Sequence, residues 1–187
     1  MLRRKTDSRA RLLQAAEKVT YQHGFASSAL ADIATQAQVP LGNVYYYFKT
    51  KDEIGCAIVD LRLSRFKELL RELDRAGSPA ERLCGFVDIK IQNRRTLARS
   101  GCPVGTLCSE LHKHPGAVAK KSTALFATCL AWMESQFKAL GQGQDSWGLA
   151  VHLLSATQGV SVLAHTFHNP AMIAMEAARL KKWIRKL

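Results

Sequence analysis

The chain has few of the residues that interrupt helices and few acidic side chains. It contains only 5 prolines among 187 residues, and its apolar residues recur at helical spacing with almost no strand-like alternation. Acidic residues number 15 against 27 basic ones, which gives a net charge of +12. The scarcity of proline and the periodicity predict an all-α fold. The charge favours an acidic partner, with nucleic acid as the first candidate and an anionic membrane surface as the second.

Patterns typical of enzymes and of exported proteins are also missing. The sequence has no glycine-rich phosphate loop, and its serine, histidine and acidic residues form no known nucleophile motif. Its five cysteines are odd in number and widely spaced, which indicates reduced thiols. Residues 1–5 are basic but precede no apolar run, so no secretory signal is expected. We therefore expect a cytoplasmic protein that is not an enzyme and uses no cofactor.

One stretch, residues 146–175, contains no Asp, Glu, Lys or Arg over 30 residues. It is long enough to span a bilayer. His152, Thr157, Gln158 and the Asn169-Pro170 pair would be costly in hydrocarbon, so a buried helix is the better interpretation and no membrane partner is expected.

Helical periodicity and its interruptions predict nine helices. The first begins at a cap, Asp7, and ends before Gly24. A short second helix begins near Ser28 or Ala29. A third follows Pro40. The predicted spans are 7–23, 28/29–37, 41–48, 52–76, 80–99, 103–111, 116–140, 146–167 and 170–186.

Residues 29–48 fit a helix-turn-helix, in which a short helix enters the DNA major groove and a second one supports it. Val44 and Phe48 lie four residues apart and are expected to face the bundle. Three consecutive tyrosines, 45–47, fan over about 200° of the helix, so one or two must point to solvent and can contact phosphate or a thymine methyl. Asn43 can reach a base edge. Further positive charge is close by, from Arg3, Arg4, Lys5, Arg9 and Arg11.

The signature of this region resembles that of TetR-family transcriptional regulators. The matching residues are Gly24-Phe25, Asp32-Ile33-Ala34, Val39 and the run 42–53, GNVYYYFKTKDE. The resemblance implies an all-α homodimer that binds near-palindromic operator DNA. It implies a DNA-binding domain over 1–51, a three-helix bundle, and a larger helical domain over 52–187 for effector binding and dimerisation. The implied DNA contacts are Ser28, Ala29, Leu30, Leu41, Gly42, Asn43, Tyr45, Tyr46, Tyr47 and Lys51.

The chain departs from the family pattern at three positions, Thr20, Gln38 and Pro40. Gln38 stands where the turn usually has glycine, so a residue with a Cβ is expected to adopt a left-handed backbone at a cost of about 1 kcal/mol. These departures bear on individual base contacts rather than on the motif.

Residues 101–111 resemble the start of the sixth helix in an LmrA/YxaF-like branch of the family. Cys102 precedes Pro103, a favoured first helical residue, so its thiol is expected at a helix N-terminus where the dipole stabilises a thiolate. Two interpretations stay open for Cys102, a small packing residue or a reactive thiol. The second gives the alternative function, a redox-sensing or electrophile-sensing switch.

The helices from about 80 to 168 combine large apolar residues with sparse polar ones, as a plain core and a small-molecule pocket both do. Family resemblance favours the pocket, with an unknown small-molecule effector. The candidate ligand-binding residues are Phe86, Asn93, Cys102, Leu107, Phe126, Trp132, Gln158 and Ser161. Cys108 and His112 share a helical face, but with too few further ligands to predict a metal. The resemblance implies that the last two helices form the dimer interface.

Overall fold

The computed structural model describes the backbone of residues 2–187 and the side chains from Ser8 onward. The described residues form ten α-helices and no strand, which confirms the all-α prediction. The predicted cations Arg3, Arg4 and Lys5 lie outside the described side chains. The helices are α1 (Leu2–His23), α2 (Leu30–Ala37), α3 (Leu41–Tyr47), α4 (Lys51–Leu73), α5 (Pro79–Gln92), α6 (Arg94–Ser100), α7 (Pro103–Leu111), α8 (Ala117–Ala139), α9 (Ser146–Thr166) and α10 (Ala171–Ile184).

Two predicted helix boundaries are wrong. The first helix begins at Leu2, so Asp7 lies inside it and is not its cap. The helix predicted over 80–99 is divided at Asn93 into α5 and α6. The Asn93 amide donates to the carbonyl of Ile89 at 2.9 Å, and such a local bond competes with the regular helical pattern.

Cα packing divides the chain into two units, which differ from the predicted domains 1–51 and 52–187. Unit 1 comprises residues 1–64 and 106–124, and unit 2 comprises residues 65–105 and 125–187.

The core of unit 1 is built from the inner faces of its N-terminal helices. In this unit α1 contacts α2, and α2 contacts α3. Val44 and Phe48 are both buried, as their spacing predicts. The other fully or nearly fully buried side chains here include Leu12, Ala16, Ile33, Ile54, Ile58 and Val59. Ile54, Ile58 and Val59 lie in the N-terminal half of α4, so this part of α4 contributes to the core.

A nearly buried ion pair also lies in unit 1. Arg62 of α4, only 7% exposed, places its Nε 3.4 Å from a carboxylate oxygen of Glu17 on α1. Removing either partner would leave a poorly solvated charge, which is strongly destabilising even where the pair itself contributes little. The pair therefore constrains how α4 packs on α1.

Unit 2 has its own apolar core, in which α10 packs on α5 and α9, and α9 on α6. Phe137, Met133 and Leu153 are fully buried at its centre. Trp132 donates its indole N–H to Asp74 at 2.8 Å, so its polar edge is satisfied while its ring packs in the cluster.

Helix α9 is the one helix in the described part of the chain that is long and apolar enough to cross a membrane. Its most apolar stretch of 18 residues has a mean hydropathy of 1.2, and 33% of that stretch is buried. Its inner face, which includes Leu153, belongs to the core of unit 2. Its outer face is exposed at Trp147, Val151, Val162, Leu163 and Phe167. Within one copy of the chain, the helix that the sequence predicts to be buried is therefore buried on one face only.

The left-handed backbone expected at Gln38 is present, with φ of 55° and ψ of 47°. We predict that Gln38→Gly raises the free energy of unfolding by about 0.5–1 kcal/mol, because glycine adopts this conformation without a Cβ clash. The matched control is Gln36→Gly, an identical change at an exposed position inside α2, which should lower stability by about 1 kcal/mol. Urea unfolding monitored by circular dichroism measures both. Two changes of the same sign would contradict the assignment of strain to Gln38.

Candidate functional site

The angle between α2 and α3 is fixed by hydrogen bonds around the turn that joins them. The left-handed Gln38 lets the N–H of Val39 return to the carbonyl of Ala34 at 3.1 Å, which closes the end of α2. The guanidinium of Arg11 donates to the carbonyl of Ala37 at 2.7 Å, so α1 also holds this helix end. Pro40 then precedes α3 with φ of −57°. The result is a rigid two-helix element with one free face.

That free face belongs to α3 and is made of polar and aromatic groups. Tyr45 and Tyr46 are 49% and 59% exposed, which confirms the prediction that one or two of the three tyrosines point to solvent. Tyr47 is half-buried and contacts the Tyr46 ring edge-on, with the centroids 4.9 Å apart. Asn43 and Leu41 are exposed on the same helix. Phenol, amide and apolar groups on a short helix are those that contact phosphates, base edges and thymine methyls.

Gly42, near the start of α3, keeps its surface open. A Cβ built at this position would meet nothing within 4 Å. The backbone there is open to close approach by a ligand.

The start of α2 is only partly as predicted. Ala29 is exposed, and its N–H donates to the Asp32 carboxylate at 3.0 Å; Leu30 is half-buried. Ser28 is 2% exposed, and its hydroxyl donates to the carbonyl of Gly24 at 2.5 Å. This burial contradicts the expectation that the Ser28 side chain contacts DNA, because the hydroxyl is used to close the preceding loop.

Two of the predicted cations near this face make contacts within unit 1. The Arg9 guanidinium lies 5.2 Å from the ring centroid of Phe48. The Lys51 ammonium donates to the carbonyl of Ala26 at 2.7 Å and lies 5.2 Å from the centroid of Phe25. An ammonium has three donors, so this bond leaves Lys51 able to contact a phosphate as well.

Sequence reasoning missed one residue that touches this region. Glu110 of α7 accepts hydrogen bonds from the backbone N–H groups of Phe25 at 2.8 Å and Ala26 at 2.5 Å. These residues are more than 80 positions apart in sequence, and no local pattern could have paired them.

The candidate ligand-binding residues fall into separate groups. Phe86, Phe126 and Trp132 belong to the apolar cluster of unit 2, with the Phe86 and Trp132 centroids 6.1 Å apart. Leu107 is buried in unit 1.

Two predicted polar ligand contacts are placed differently from expectation. Asn93 is exposed at the junction of α5 and α6 and does not line the apolar cluster. Ser161 is buried, but its hydroxyl donates to the carbonyl of Thr157 at 2.7 Å within α9. Both side chains donate a hydrogen bond to a backbone carbonyl four residues earlier, as short polar side chains often do.

Cys102 lies next to the first turn of α7, as predicted, and is buried. Its sulfur accepts from the N–H of Gly105 at 3.4 Å and lies 3.8 Å from the Lys90 ammonium. Burial on its own would raise the pKa of the Cys102 thiol. The Lys90 charge, the N–H groups of Gly105 and Val104, and the Gln158 amide outweigh it and hold the pKa below its ordinary value.

Cys129 shows the opposite behaviour, because burial raises the pKa of its thiol to about 12. Cys102 and Cys129, both buried in unit 2, therefore differ in chemistry, and it is Cys102 whose surroundings favour the thiolate.

The pairing of Cys108 with His112 does not form a metal site. Cys108 is buried against the carbonyl of Ser122 at 3.6 Å, whereas His112 is exposed and lies 3.4 Å from the Thr123 hydroxyl. Among the described residues, no group of three or more His, Cys, Asp or Glu could hold a metal ion.

Comparison with known proteins agrees with the helix-turn-helix geometry. Residues 12–56 match the family model for bacterial regulatory proteins of the tetR family. This match covers the helix-turn-helix and the start of α4. The HTH-type transcriptional repressor NemR of Escherichia coli K12 is 32% identical over 71 residues, which are 38% of this chain and 36% of NemR. The chain thus matches only about a third of the length of this curated relative.

Solved structures extend the TetR-like fold over the rest of the chain. A TetR-family regulator from Agrobacterium tumefaciens superposes with a TM-score of 0.86 at 18% identity, covering 95% of this chain and 97% of that one. The reduced form of E. coli NemR superposes with a TM-score of 0.78 at 20% identity, covering 94% and 96%. The TetR fold, an N-terminal helix-turn-helix domain followed by a larger helical region, is therefore present.

Proposed function

We propose that this chain is a ligand-responsive, DNA-binding transcriptional regulator that acts as a repressor, released from its operator by a small molecule. The observation that carries the proposal is the exposed face of α3, where Asn43, Tyr45 and Tyr46 are accessible to solvent on a helix whose start is set by the turn after α2. Similarity to repressors and to regulators of the TetR family supports it. On this basis the protein is a cytoplasmic regulator rather than an enzyme.

The charge of the N-terminal region suits DNA. Residues 1–51 carry 8 basic and 3 acidic side chains, a net charge of +5. Two copies bring ten positive charges to the duplex, enough for phosphate attraction and a clear dependence of affinity on salt. The functional DNA-binding domain is accordingly 1–51, with 52–187 for effector binding and dimerisation.

The second partner is another copy of the same chain, joined through α9 and α10. The exposed apolar side chains of α9 recur at helical spacing, and Val162 and Phe167 are 64% and 66% exposed. Gly159, about one helical turn before Val162, is also exposed, with nothing within 4 Å of where its Cβ would be. Exposed apolar side chains around a small residue allow two helices to pack closely. A two-fold dimer would place its two α3 helices in successive major grooves.

The effector is a small, largely apolar molecule bound by the helices of 52–187. Support comes from the aromatic cluster of Phe86, Phe126 and Trp132 in unit 2. The finer assignment to an LmrA/YxaF-like branch rests on residues 101–111 alone and stays part of this proposal.

A second candidate function is thiol-based sensing of oxidants or electrophiles. The lowered pKa of Cys102 favours it, since thiolate is the reactive form of cysteine. NemR, which has been solved in a reduced form, has the same fold.

DNA binding is tested by Asn43→Ala, with the labelled duplex that lies upstream of the gene for this protein as the probe. Loss of one base-edge contact should weaken binding about tenfold or more. Gel shift or fluorescence anisotropy measures the affinity, and Gln144→Ala, at an exposed position of unit 2, should leave it unchanged. Wild-type protein that binds this duplex no better than a random-sequence duplex would overturn the proposal.

Dimerisation is tested by Val162→Asp on the outer face of α9. A charge inside an apolar interface should give a monomer at micromolar concentration, whereas wild-type protein sediments as a dimer without DNA. The control is Ala131→Asp, the same kind of change at an exposed position on α8. A wild-type monomer, or a Val162→Asp dimer as stable as wild type, would contradict the proposed interface.

Thiol sensing is tested by treating the DNA complex with N-ethylmaleimide. Wild-type protein should leave the upstream duplex, and Cys102→Ser should stay bound. Cys56→Ser should respond as wild type does, because the half-buried Cys56 belongs to unit 1. The rate should fall as the pH is lowered through the depressed pKa of Cys102, since the thiolate is then protonated. Equal release of Cys102→Ser would rule out this function.

A further inference from the structure

The loop between α1 and α2 contains backbone groups that neither helix can satisfy. Gly24 ends α1 with φ of 87°, and its N–H bonds the carbonyl of Thr20 at 2.9 Å. The next two N–H groups, those of Phe25 and Ala26, lie beyond the helical ladder. Phe25 is half-buried, and a poorly solvated N–H group that lacks a partner costs about as much as a lost hydrogen bond; Ala26 is exposed.

The carboxylate of Glu110 supplies both partners. One oxygen accepts from Phe25 at 2.8 Å and the other from Ala26 at 2.5 Å. Hydrogen bonds to an ionised acceptor are roughly twice as strong as neutral ones, and two in parallel also fix direction. Gly24 fits this arrangement closely, since a Cβ there would lie 3.2 Å from both carboxylate oxygens.

The same loop is held from its other side by Lys51, which donates to the carbonyl of Ala26 at 2.7 Å. Ser28 closes the loop by donating to the carbonyl of Gly24. The segment 24–28 is therefore fixed by groups from α7 and α4 and by its own hydroxyl. It leads directly into α2, the helix that supports α3.

We propose that Glu110 is a positioning residue for operator binding, through which α7 holds the loop before α2 and so sets the placement of the helix-turn-helix. Glu110 touches no DNA in this role. It acts through the backbone of Phe25 and Ala26, whose N–H groups donate to its carboxylate. The inference rests on the proposed function, because its effect is measured on DNA affinity.

The test compares Glu110→Ala with Glu110→Gln in the full-length protein, using the upstream duplex and a random-sequence duplex as probes. Glu110→Ala should weaken binding to the upstream duplex about tenfold without weakening binding to the random duplex. Glu110→Gln keeps one carbonyl oxygen that can accept one N–H, so its loss should be smaller. Both variants remove the same negative charge, which by itself would strengthen attraction to DNA; a loss therefore cannot arise from charge.

Amide hydrogen exchange of Phe25 and Ala26, followed by NMR, gives a second readout. Both amides should exchange slowly in the wild type and faster in Glu110→Ala, with Glu110→Gln in between. Ser109→Ala, an exposed neighbour on α7, and Glu134→Ala, which removes a glutamate from α8 in unit 2, are the controls, and both should behave as wild type.

Three results would overturn the inference: unchanged affinity of Glu110→Ala for the upstream duplex, an equal loss on both duplexes, or unchanged exchange of the two amides. If Glu110→Ala fails to fold, Glu110→Gln carries the same comparison. Failure of wild-type protein to prefer the upstream duplex is a different result, which would count against the proposed function itself.

Discussion

The placement of α3 on α2 is the constraint on which the DNA-binding face depends. It is fixed by a turn in which Gln38 adopts a left-handed backbone and the N–H of Val39 returns to Ala34. Arg11, from α1, binds the carbonyl of Ala37 at the same helix end. With this angle set, burial of Val44 on one side of α3 leaves Asn43 and the tyrosines on the other. A chain with the same α3 residues but a different turn between α2 and α3 would present a different surface to DNA.

Several of the 27 basic side chains make ion pairs or hydrogen bonds within the protein, which limits what bulk basicity indicates. Arg62 pairs with Glu17, Lys121 with Asp60 at 2.6 Å, and Lys181 with Asp88 at 2.6 Å. Arg11 and Lys51 bind backbone carbonyls. The position of a charge therefore matters more than the total charge. The groups that suit DNA are the exposed ones on α3. Cations that hold helices in place add to the electrostatic field at this face only at longer range.

The sequence could predict those features that depend on neighbours within about one helical turn. The burial of Val44 and Phe48 and the position of Cys102 beside the start of α7 follow from local spacing, whereas the left-handed Gln38 was expected from the family resemblance. The break at Asn93 and the burial of Ser28 did not follow, because each depends on which of several local hydrogen bonds forms. The hydrogen bonds of Glu110 to the loop could not be predicted from the sequence, since its partners are backbone N–H groups, which are the same in almost every residue type.

The binding of Glu110 to backbone atoms rather than side chains has an evolutionary consequence. Because Glu110 binds the N–H groups of Phe25 and Ala26 rather than their side chains, almost any residue at those two positions preserves both bonds. Only proline, which has no N–H, would abolish one. Substitutions at 25 and 26 can therefore accumulate without a compensating change at 110. A mechanical link of this kind would leave no covariation among homologous sequences, although it joins two segments more than 80 residues apart.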